Sequence, residues 1–239
     1  MDDLSDQPMG RIGTLTRYPV KSMVGEELDA VDVSMRGLEG DRLWAVRDID
    51  GKLGSGKNTR RFRRMPGLLE LAASYDDDLV PTIRFPDGRR ICPEDPDINR
   101  ALSMHVGRPV TLDREEDVSH FDEGPLHLVT SSSISRLSEL HGVGVDPRRM
   151  RANLVVDTGE GPRLDEADWV GRELAIGGVT VRVRDVMVRC VMVGLPQIGL
   201  EADPDLLDTI TRVNDLAFGL VIDVQTPGAI RLGDVVRPI

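Results

Sequence analysis

Short β-type runs recur along the whole chain, and they limit its fold more than any other feature. The run ELDAVDV at 27–33 alternates apolar and polar residues with period two, as a half-buried strand does, and the run at 230–236 is expected to be a strand near the C terminus. Asp87-Gly88 and Gly177-Gly178 separate neighbouring runs and are typical of hairpin turns. Helical periodicity is confined to three short stretches, at 96–105, 133–140 and 203–216. The pattern predicts a mostly β fold, either one barrel or a pair of barrel-like modules, with a few short helices; it disfavours a doubly wound fold, which needs long alternating helices.

The composition excludes several classes of partner. The chain has 239 residues, a net charge of −11 and an isoelectric point near 4.9, whereas a general nucleic-acid binder needs a basic face. No apolar run approaches the ~18 residues of a membrane helix, and the N terminus lacks the basic and apolar regions of a signal peptide. Cys92 and Cys190 form no CxxC motif, which argues against a disulfide framework or a cysteine-built zinc site. We therefore expect a cytoplasmic protein with no nucleic-acid and no membrane partner.

The chain is expected to divide at an acidic segment with few apolar residues. Residues 114–124 resemble an exposed connection, and the boundary is placed within 107–125. The acidic, polar start at 1–9 is expected to be a disordered tail. The predicted domains are therefore 10–112 and 125–239.

The pair Arg189-Cys190, at the end of a β-type run, is the strongest candidate for chemistry. A neighbouring guanidinium stabilises a thiolate, the form of cysteine that binds soft metals or carries sulfur. The alternative is that Cys190 is a small buried hydrophobe, because free cysteine is among the most buried residue types.

Other polar residues lie where the strand pattern does not need them. A short strand runs into Thr130 and three serines, so the start of the following helix offers N–H groups and hydroxyls that could bind an oxyanion. The basic run at 57–64 is either a solvated loop or, alternatively, an anion-facing rim or a docking patch for an acidic electron donor. The four histidines show no metal-ligand spacing, so no ligand role is assigned to His105, His120, His127 and His141.

Seven segments, taken in order, resemble the MOSC family, which is named for the C-terminal domain of molybdenum cofactor sulfurase. The front half carries RYPVKS at 17–22, GLEGDR at 37–42 and TRRFRRMPGLL at 59–69, and the back half carries HLVTSSS at 127–133, RANLVV at 151–156, RC at 189–190 and PGAIRLGD at 227–234. The resemblance implies that 10–112 is a MOSC N-terminal β-barrel domain and that 125–239 is the MOSC domain.

The resemblance also implies a molybdenum cofactor held between two β-barrel modules, as in amidoxime-reducing enzymes. Carried over by position, Cys190 is the molybdenum ligand and the catalytic residue. The implied cofactor-binding residues are Lys21, Ser22, Arg42, Thr130, Ser131, Arg151, Asn153 and Arg189. Their cations suit an anionic pterin phosphate and dithiolene. Val191 and Met192 stand where relatives often carry threonines, which argues against a pterin contact from that segment.

Three functions follow from the resemblance. The first is a molybdenum-cofactor oxidoreductase that reduces N-hydroxylated or N-oxide small molecules; its electrons would come from a separate ferredoxin- or flavin-type protein, since no cysteines remain for a fused iron–sulfur domain. The second is a sulfur carrier or sulfurtransferase using a Cys190 persulfide. The third is a non-catalytic module that stores or delivers the cofactor. A pyridoxal-phosphate enzyme is disfavoured, because none of the three lysines lies in an apolar, pocket-like context.

Overall fold

The computed structural model of the chain describes residues 7–76, 78–159, 161–164 and 166–239. Most of the tail expected at 1–9 lies outside these ranges, although the backbone N of Met9 donates to the carbonyl O of Val236 at 2.8 Å. The described strands, in chain order, are β1 (Gly10–Arg17), β2 (Glu26–Glu27), β3 (Ala30–Ser34), β4 (Gly37–Leu38), β5 (Trp44–Asp48), β6 (Leu53–Ser55), β7 (Phe62–Arg64), β8 (Ala72–Tyr75), β9 (Pro81–Arg84), β10 (Arg90–Ile91), β11 (Val110–Arg114), β12 (Leu126–Thr130), β13 (Leu154–Asp157), β14 (Glu173–Ile176), β15 (Val179–Val188), β16 (Ala217–Thr226), β17 (Gly228–Arg231) and β18 (Val235–Pro238). The α-helices are α1 (Ile98–Val106), α2 (Ser131–His141) and α3 (Leu206–Asn214).

Seven strands close into a barrel in the order β13-β12-β16-β15-β14-β18-β1, and β1 pairs back with β13. All these neighbours are antiparallel except β12 and β13, which are parallel. Apolar side chains that alternate along the strands fill the interior, as period-two patterning requires; among them are Leu15, Leu128, Leu154 and Ile222. The predicted mostly β fold with a few short helices is confirmed.

The front half forms a second module around its own core. A four-stranded sheet, β11-β5-β6-β7, and a three-stranded sheet, β10-β9-β8, enclose that core together with α1. Phe85, Leu102 and Leu68 are among its most buried side chains. The cleft described below lies where this module meets the barrel.

The two modules share strands. β1 belongs to the front half of the sequence but completes the barrel of the back half, and β17 of the back half pairs with β3 of the front half. The domain boundaries at 112 and 125 remain predictions about sequence units; the packed units interlock across them.

Two expected strands are each split in the structure. The run at 27–33 forms β2 and β3, and the run expected at 230–236 forms β17 and β18. A turn separates the second pair: the backbone N of Asp234 donates to the O of Arg231 at 3.1 Å, and Gly233 has a φ of +85°, a conformation that glycine adopts without strain. The two halves of that run therefore enter different sheets.

The helices are short, as expected. The longest described helix, α2, has 11 residues. Across the described ranges, no helix combines the length and the apolar character needed to cross a membrane.

Candidate functional site

A cleft between the front module and the barrel collects most of the expected site residues. Seven of the nine line it, four of them being cations. Those seven are Lys21, Ser22, Arg42, Arg151, Asn153, Arg189 and Cys190. They come from both modules, so the folded chain brings together residues that lie up to 169 positions apart, from Lys21 to Cys190.

Backbone strain in the described residues is concentrated around this cleft. Their non-glycine residues with positive φ are Ser22, Arg42, Arg151, Asp215 and Leu216. The first three line the cleft, and the carbonyl O of Leu216 accepts the backbone N–H of Arg189 at 2.7 Å. A left-handed conformation costs an L-residue roughly 1–2 kcal/mol, and such strain is typical of functional sites.

Tyr18 holds two of the guanidinium groups. The Cζ atom of Arg42 lies 4.7 Å and that of Arg151 4.5 Å from the centroid of its ring. Arg42 also pairs with the buried carboxylate of Asp41 and donates from Nη2 to the carbonyl O of Arg151 at 3.1 Å. The cation–π contacts and hydrogen bonds fix both guanidinium groups in the cleft wall.

Two buried nitrogen atoms of these arginines have no hydrogen-bond partner within the described chain: Nη1 of Arg151 and Nε of Arg189. The Nη2 atoms of the same two guanidinium groups do have partners. Arg151 Nη2 donates to the carbonyl O of Met23 at 2.8 Å, and Arg189 Nη2 donates to the carbonyl O of Met150 at 2.7 Å. Burial lowers the pKa of each of the two arginines to about 10, so both are charged at neutral pH. An unpaired buried donor costs about 1–3 kcal/mol, which an acceptor on a ligand could recover.

Lys21 is the buried cation of the front module. Its Nζ donates to the carbonyl O of His120 at 2.8 Å and pairs with the carboxylate of Asp122. Burial lowers the pKa of Lys21 to about 8, although the neighbouring Asp122 opposes the shift. The charge of Lys21 at neutral pH therefore depends on an anion beside it.

Cys190 lies at the end of β15, as the sequence indicates, and it is half-buried and free. It begins a 3-10 turn, and its O accepts the backbone N–H of Val193 at 3.2 Å. The following Met192 packs on the front module, where its Sδ accepts the backbone N–H of Gly56 at 3.0 Å. The thiol is thus set at the boundary between the modules, beside the Arg189 guanidinium.

Thr130 and Ser131 do not line this cleft. Thr130 is fully buried and caps α2, its Oγ1 accepting the N–H of Ser133 at 3.1 Å and donating to the carboxylate of Glu166 at 2.8 Å. Ser131 donates to Asp157 Oδ1 at 3.2 Å. Both hydroxyls therefore meet the needs of a helix start and a strand end, which is the ordinary use of such residues.

Three further cleft residues were not among the expected site residues, although His127 and Lys57 stand in segments that the sequence analysis singled out. His127 accepts a hydrogen bond at Nε2 from Arg189 Nη1 at 3.3 Å; burial and then the Arg189 charge hold the pKa of His127 well below its usual value. Asp122 and Lys57 also line the cleft, and their nitrogen and oxygen atoms lie 3.6 Å apart. Over the described residues, no group of three or more His, Cys, Asp or Glu side chains is arranged to hold a metal ion.

The basic run at 57–64 is divided in the structure. Arg63 pairs with Asp48 at 2.5 Å and with Asp50 at 2.6 Å, and Lys57 lies in the cleft. Arg60 and Arg64 are exposed. The position of Lys57 in the cleft suits an anion-facing rim at this one residue, and for the rest of the run a solvated loop and a docking patch both stay open.

His120 gives the stability of the protein a dependence on acid. Its side chain is fully buried, and burial together with the nearby Arg47 lowers the pKa of His120 to about 4 from 6.5. In the unfolded chain this imidazole is protonated below about pH 6.5, whereas in the folded chain it stays neutral down to about pH 4. The free energy of unfolding therefore decreases as the pH falls from 6.5 to 4. Between pH 7 and pH 4.5, we expect the free energy of unfolding of His120→Gln to fall by about 2 kcal/mol less than that of the parent chain. Urea unfolding of both proteins at the two pH values measures this difference, and equal losses would contradict the neutral, buried state of His120.

Comparisons with known proteins match the chain to two adjoining protein families. Residues 115–237 match the MOSC domain and residues 9–121 match the MOSC N-terminal beta barrel domain. Mitochondrial amidoxime reducing component 2 from Bos taurus is 23% identical over 96% of this chain and 83% of its own length. Molybdenum cofactor sulfurase from Drosophila willistoni is 26% identical over 89% of this chain, which spans only 31% of that protein.

A solved structure shares the fold. The YUAD protein from Bacillus subtilis has a TM-score of 0.53 at 16% identity and covers 97% of this chain and 96% of its own. The resemblance drawn from the short segments is confirmed, and the chain belongs to the MOSC domain family, with a MOSC N-terminal beta barrel domain in front.

Proposed function

We propose that this protein binds a molybdenum cofactor in the cleft between its modules and is an oxidoreductase that reduces N-hydroxylated or N-oxide small molecules. The observation that carries the proposal is the cleft itself, which is lined by five cations and a free cysteine and in which two buried guanidinium nitrogens have no partner among the described residues. The names of the relatives, amidoxime reducing component and molybdenum cofactor sulfurase, support the same cofactor.

The residues present fit such a group. A pterin cofactor with a phosphate and a dithiolene is anionic and rich in acceptors, which are what Arg151 Nη1 and Arg189 Nε lack. Lys21, Ser22 and Arg42 would hold it from the front module, and Arg151, Asn153 and Arg189 from the barrel. Cys190 would supply the thiolate that a thiophilic metal prefers. Thr130 and Ser131, which do not line the cleft, have no part in this proposal.

When bound, the group supplies a metal centre that can accept an oxygen atom and pass electrons. The chain's own residues prepare the site. Arg189 keeps positive charge beside the Cys190 sulfur, and the neutral His127 orients Arg189 by accepting from its Nη1. Val188, which is 61% accessible, and Met192 line the cleft near Cys190 and would offer apolar contact to a small-molecule substrate. Reduction of an N-hydroxyl group consumes two electrons and two protons and releases the oxygen as water.

The electrons require a partner. We propose a separate donor protein of ferredoxin or flavin type, since the two cysteines of the chain cannot build an iron–sulfur cluster. The cytoplasm is the proposed compartment, on the basis of this low cysteine content.

The test is turnover of a simple aryl amidoxime by molybdenum-loaded protein with a chemical electron donor such as reduced viologen. The proposal expects the amidine to appear by chromatography in proportion to bound molybdenum. Fully loaded protein that leaves both an amidoxime and an N-oxide unchanged would overturn the oxidoreductase assignment.

Sulfur transfer is the second candidate. It is favoured by the free, half-buried thiol of Cys190 beside a guanidinium and by the relatives named molybdenum cofactor sulfurase. In that case, Cys190 would carry a persulfide and no metal would be needed. Mass spectrometry after incubation with a cysteine desulfurase decides: a mass gain of one sulfur on Cys190 supports this function, and an unmodified thiol removes it.

A further inference from the structure

One carboxylate lies among the cations of the cleft. The side chain of Asp122 pairs with Lys21 on one side, and its Oδ2 lies 3.6 Å from the Nζ of Lys57 on the other. The positive charges of Lys21, Lys57 and Arg42 lower the pKa of Asp122 against the opposing effect of burial, so this group is ionised at neutral pH. Asp122 therefore occupies Lys21, one of the cations that an anionic ligand of the cleft would need.

The position of Asp122 in a connecting segment allows its side chain to move out of the cleft. It lies in the segment 115–125 between β11 and β12, outside every described strand and helix. Its side chain is 36% exposed, whereas that of Lys21 is 6% exposed. Moving Asp122 outward breaks no strand ladder and returns its carboxylate to water, while Lys21 stays in the wall.

We propose that Asp122 is an internal counter-ion of Lys21 and Lys57 in the unloaded cleft, and that an anionic ligand must displace it. The inference rests on the proposed function for the identity of that ligand, but not for the displacement itself. Any anion that reaches Lys21 competes with a carboxylate already in contact with it. The competition weakens binding, and in return the cationic cleft of the unloaded chain is kept stable and Lys21 keeps its charge.

If Asp122 competes with the ligand, removing its charge should increase the affinity of the cleft for anions. Neutralising an acidic residue at random on a protein of net charge −11 should help any anion slightly, through the long-range field. Neutralising a direct competitor should help far more, because a charge-assisted contact no longer has to be broken. Glu123 allows the two effects to be separated, because it is the next residue, it also lines the cleft, and it is exposed.

The experiment compares Asp122→Asn with Glu123→Gln, using inorganic pyrophosphate as the probe and calorimetry as the readout. We expect Asp122→Asn to bind pyrophosphate about tenfold more tightly than the parent chain, and Glu123→Gln to change the affinity less than about twofold. Equal or weaker binding by Asp122→Asn would overturn the proposal, since it would mean that Asp122 positions Lys21 for the ligand instead of competing with it.

A measurement on the parent chain covers the case in which Asp122→Asn does not fold. Hydrogen exchange of the amides of Asp122, Glu123 and Gly124 should become faster when pyrophosphate saturates the cleft, because this more exposed part of the segment moves outward while the buried His120 stays in place. Unchanged or slower exchange would count against displacement. Neither readout needs molybdenum, so a chain that binds no pterin could still confirm the counter-ion role, and a loaded enzyme could still refute it.

Discussion

Replacing Cys190 with serine is expected to lower the rate of amidoxime reduction about a hundredfold or more and to reduce the molybdenum content of the purified protein. A serine hydroxyl keeps the size of the side chain but is a poor ligand for a thiophilic metal. The pterin should remain, because its proposed donors, Lys21, Arg42 and Arg151 among them, are unchanged. The measurements are the turnover rate, the molybdenum per chain and the pterin fluorescence after acid release.

Cys92 provides the matched control. It follows β10 in the front module, it is free and half-buried, and it does not line the cleft. Cys92→Ser should therefore keep both activity and molybdenum. If Cys190→Ser keeps its full rate, Cys190 is not the ligand on which the account depends; if Cys92→Ser loses as much as Cys190→Ser, the loss reflects folding.

The second large effect concerns stability and is expected at Gly219. This residue has a φ of +82°, and a Cβ atom there would lie 2.5 Å from His127 Nε2 and 2.9 Å from the carbonyl O of Leu128. Gly219→Ala adds the cost of a left-handed conformation, about 1 kcal/mol, to an overpacking cost of about 1–3 kcal/mol. We expect a loss of about 3 kcal/mol in the free energy of unfolding. That is a large part of the 5–15 kcal/mol typical of a folded protein.

Gly142 separates the two contributions. It has a φ of +86°, and a Cβ atom there would have no other atom within 4 Å. Gly142→Ala should therefore cost only about 1 kcal/mol in urea unfolding. Equal losses of unfolding free energy in the two variants would show that His127 is not tightly packed against Gly219. They would also argue against the proposed orientation of Arg189 by His127.

The fold could be predicted from sequence where local patterns decide it. The alternating run at 27–33 forms strands, and the turns at 87–88 and 177–178 each connect two strands, as expected. Helical periodicity located all three described α-helices. Long-range pairing could not be read in this way. Nothing local in 10–17 indicates that β1 closes a barrel with β13, and only a turn at Gly233 divides β17 from β18. Strand partners far apart in sequence depend on the packing of the whole core.

The candidate site was predictable to the extent that its residues stand in recognisable segments. Lys21, Arg42, Arg151 and Cys190 do, and the fold brings them to one cleft. Thr130 illustrates the limit, because a hydroxyl at a strand-to-helix junction is equally suited to an anion and to a helix cap, and here it caps α2. Asp122 shows the converse: a carboxylate in an acidic connecting segment looks solvated until the fold places it against Lys21.

The concentration of cations in one cleft explains how an acidic chain could bind an anionic group. With a net charge of −11, the protein as a whole repels anions. Inside the cleft, the cations are buried against Tyr18 and Phe62 and fixed by backbone carbonyls, so local charge outweighs the distant field.

The most direct test of the account is the molybdenum and pterin content of the parent chain, purified from a host that makes the cofactor. Elemental analysis and fluorescence after acid release should each give about one equivalent per chain, because the cleft holds one cysteine and one set of donors. A chain that contains neither metal nor pterin, while its Cys190 thiol reacts freely with an alkylating probe, would contradict the cofactor site and leave sulfur transfer as the function to pursue.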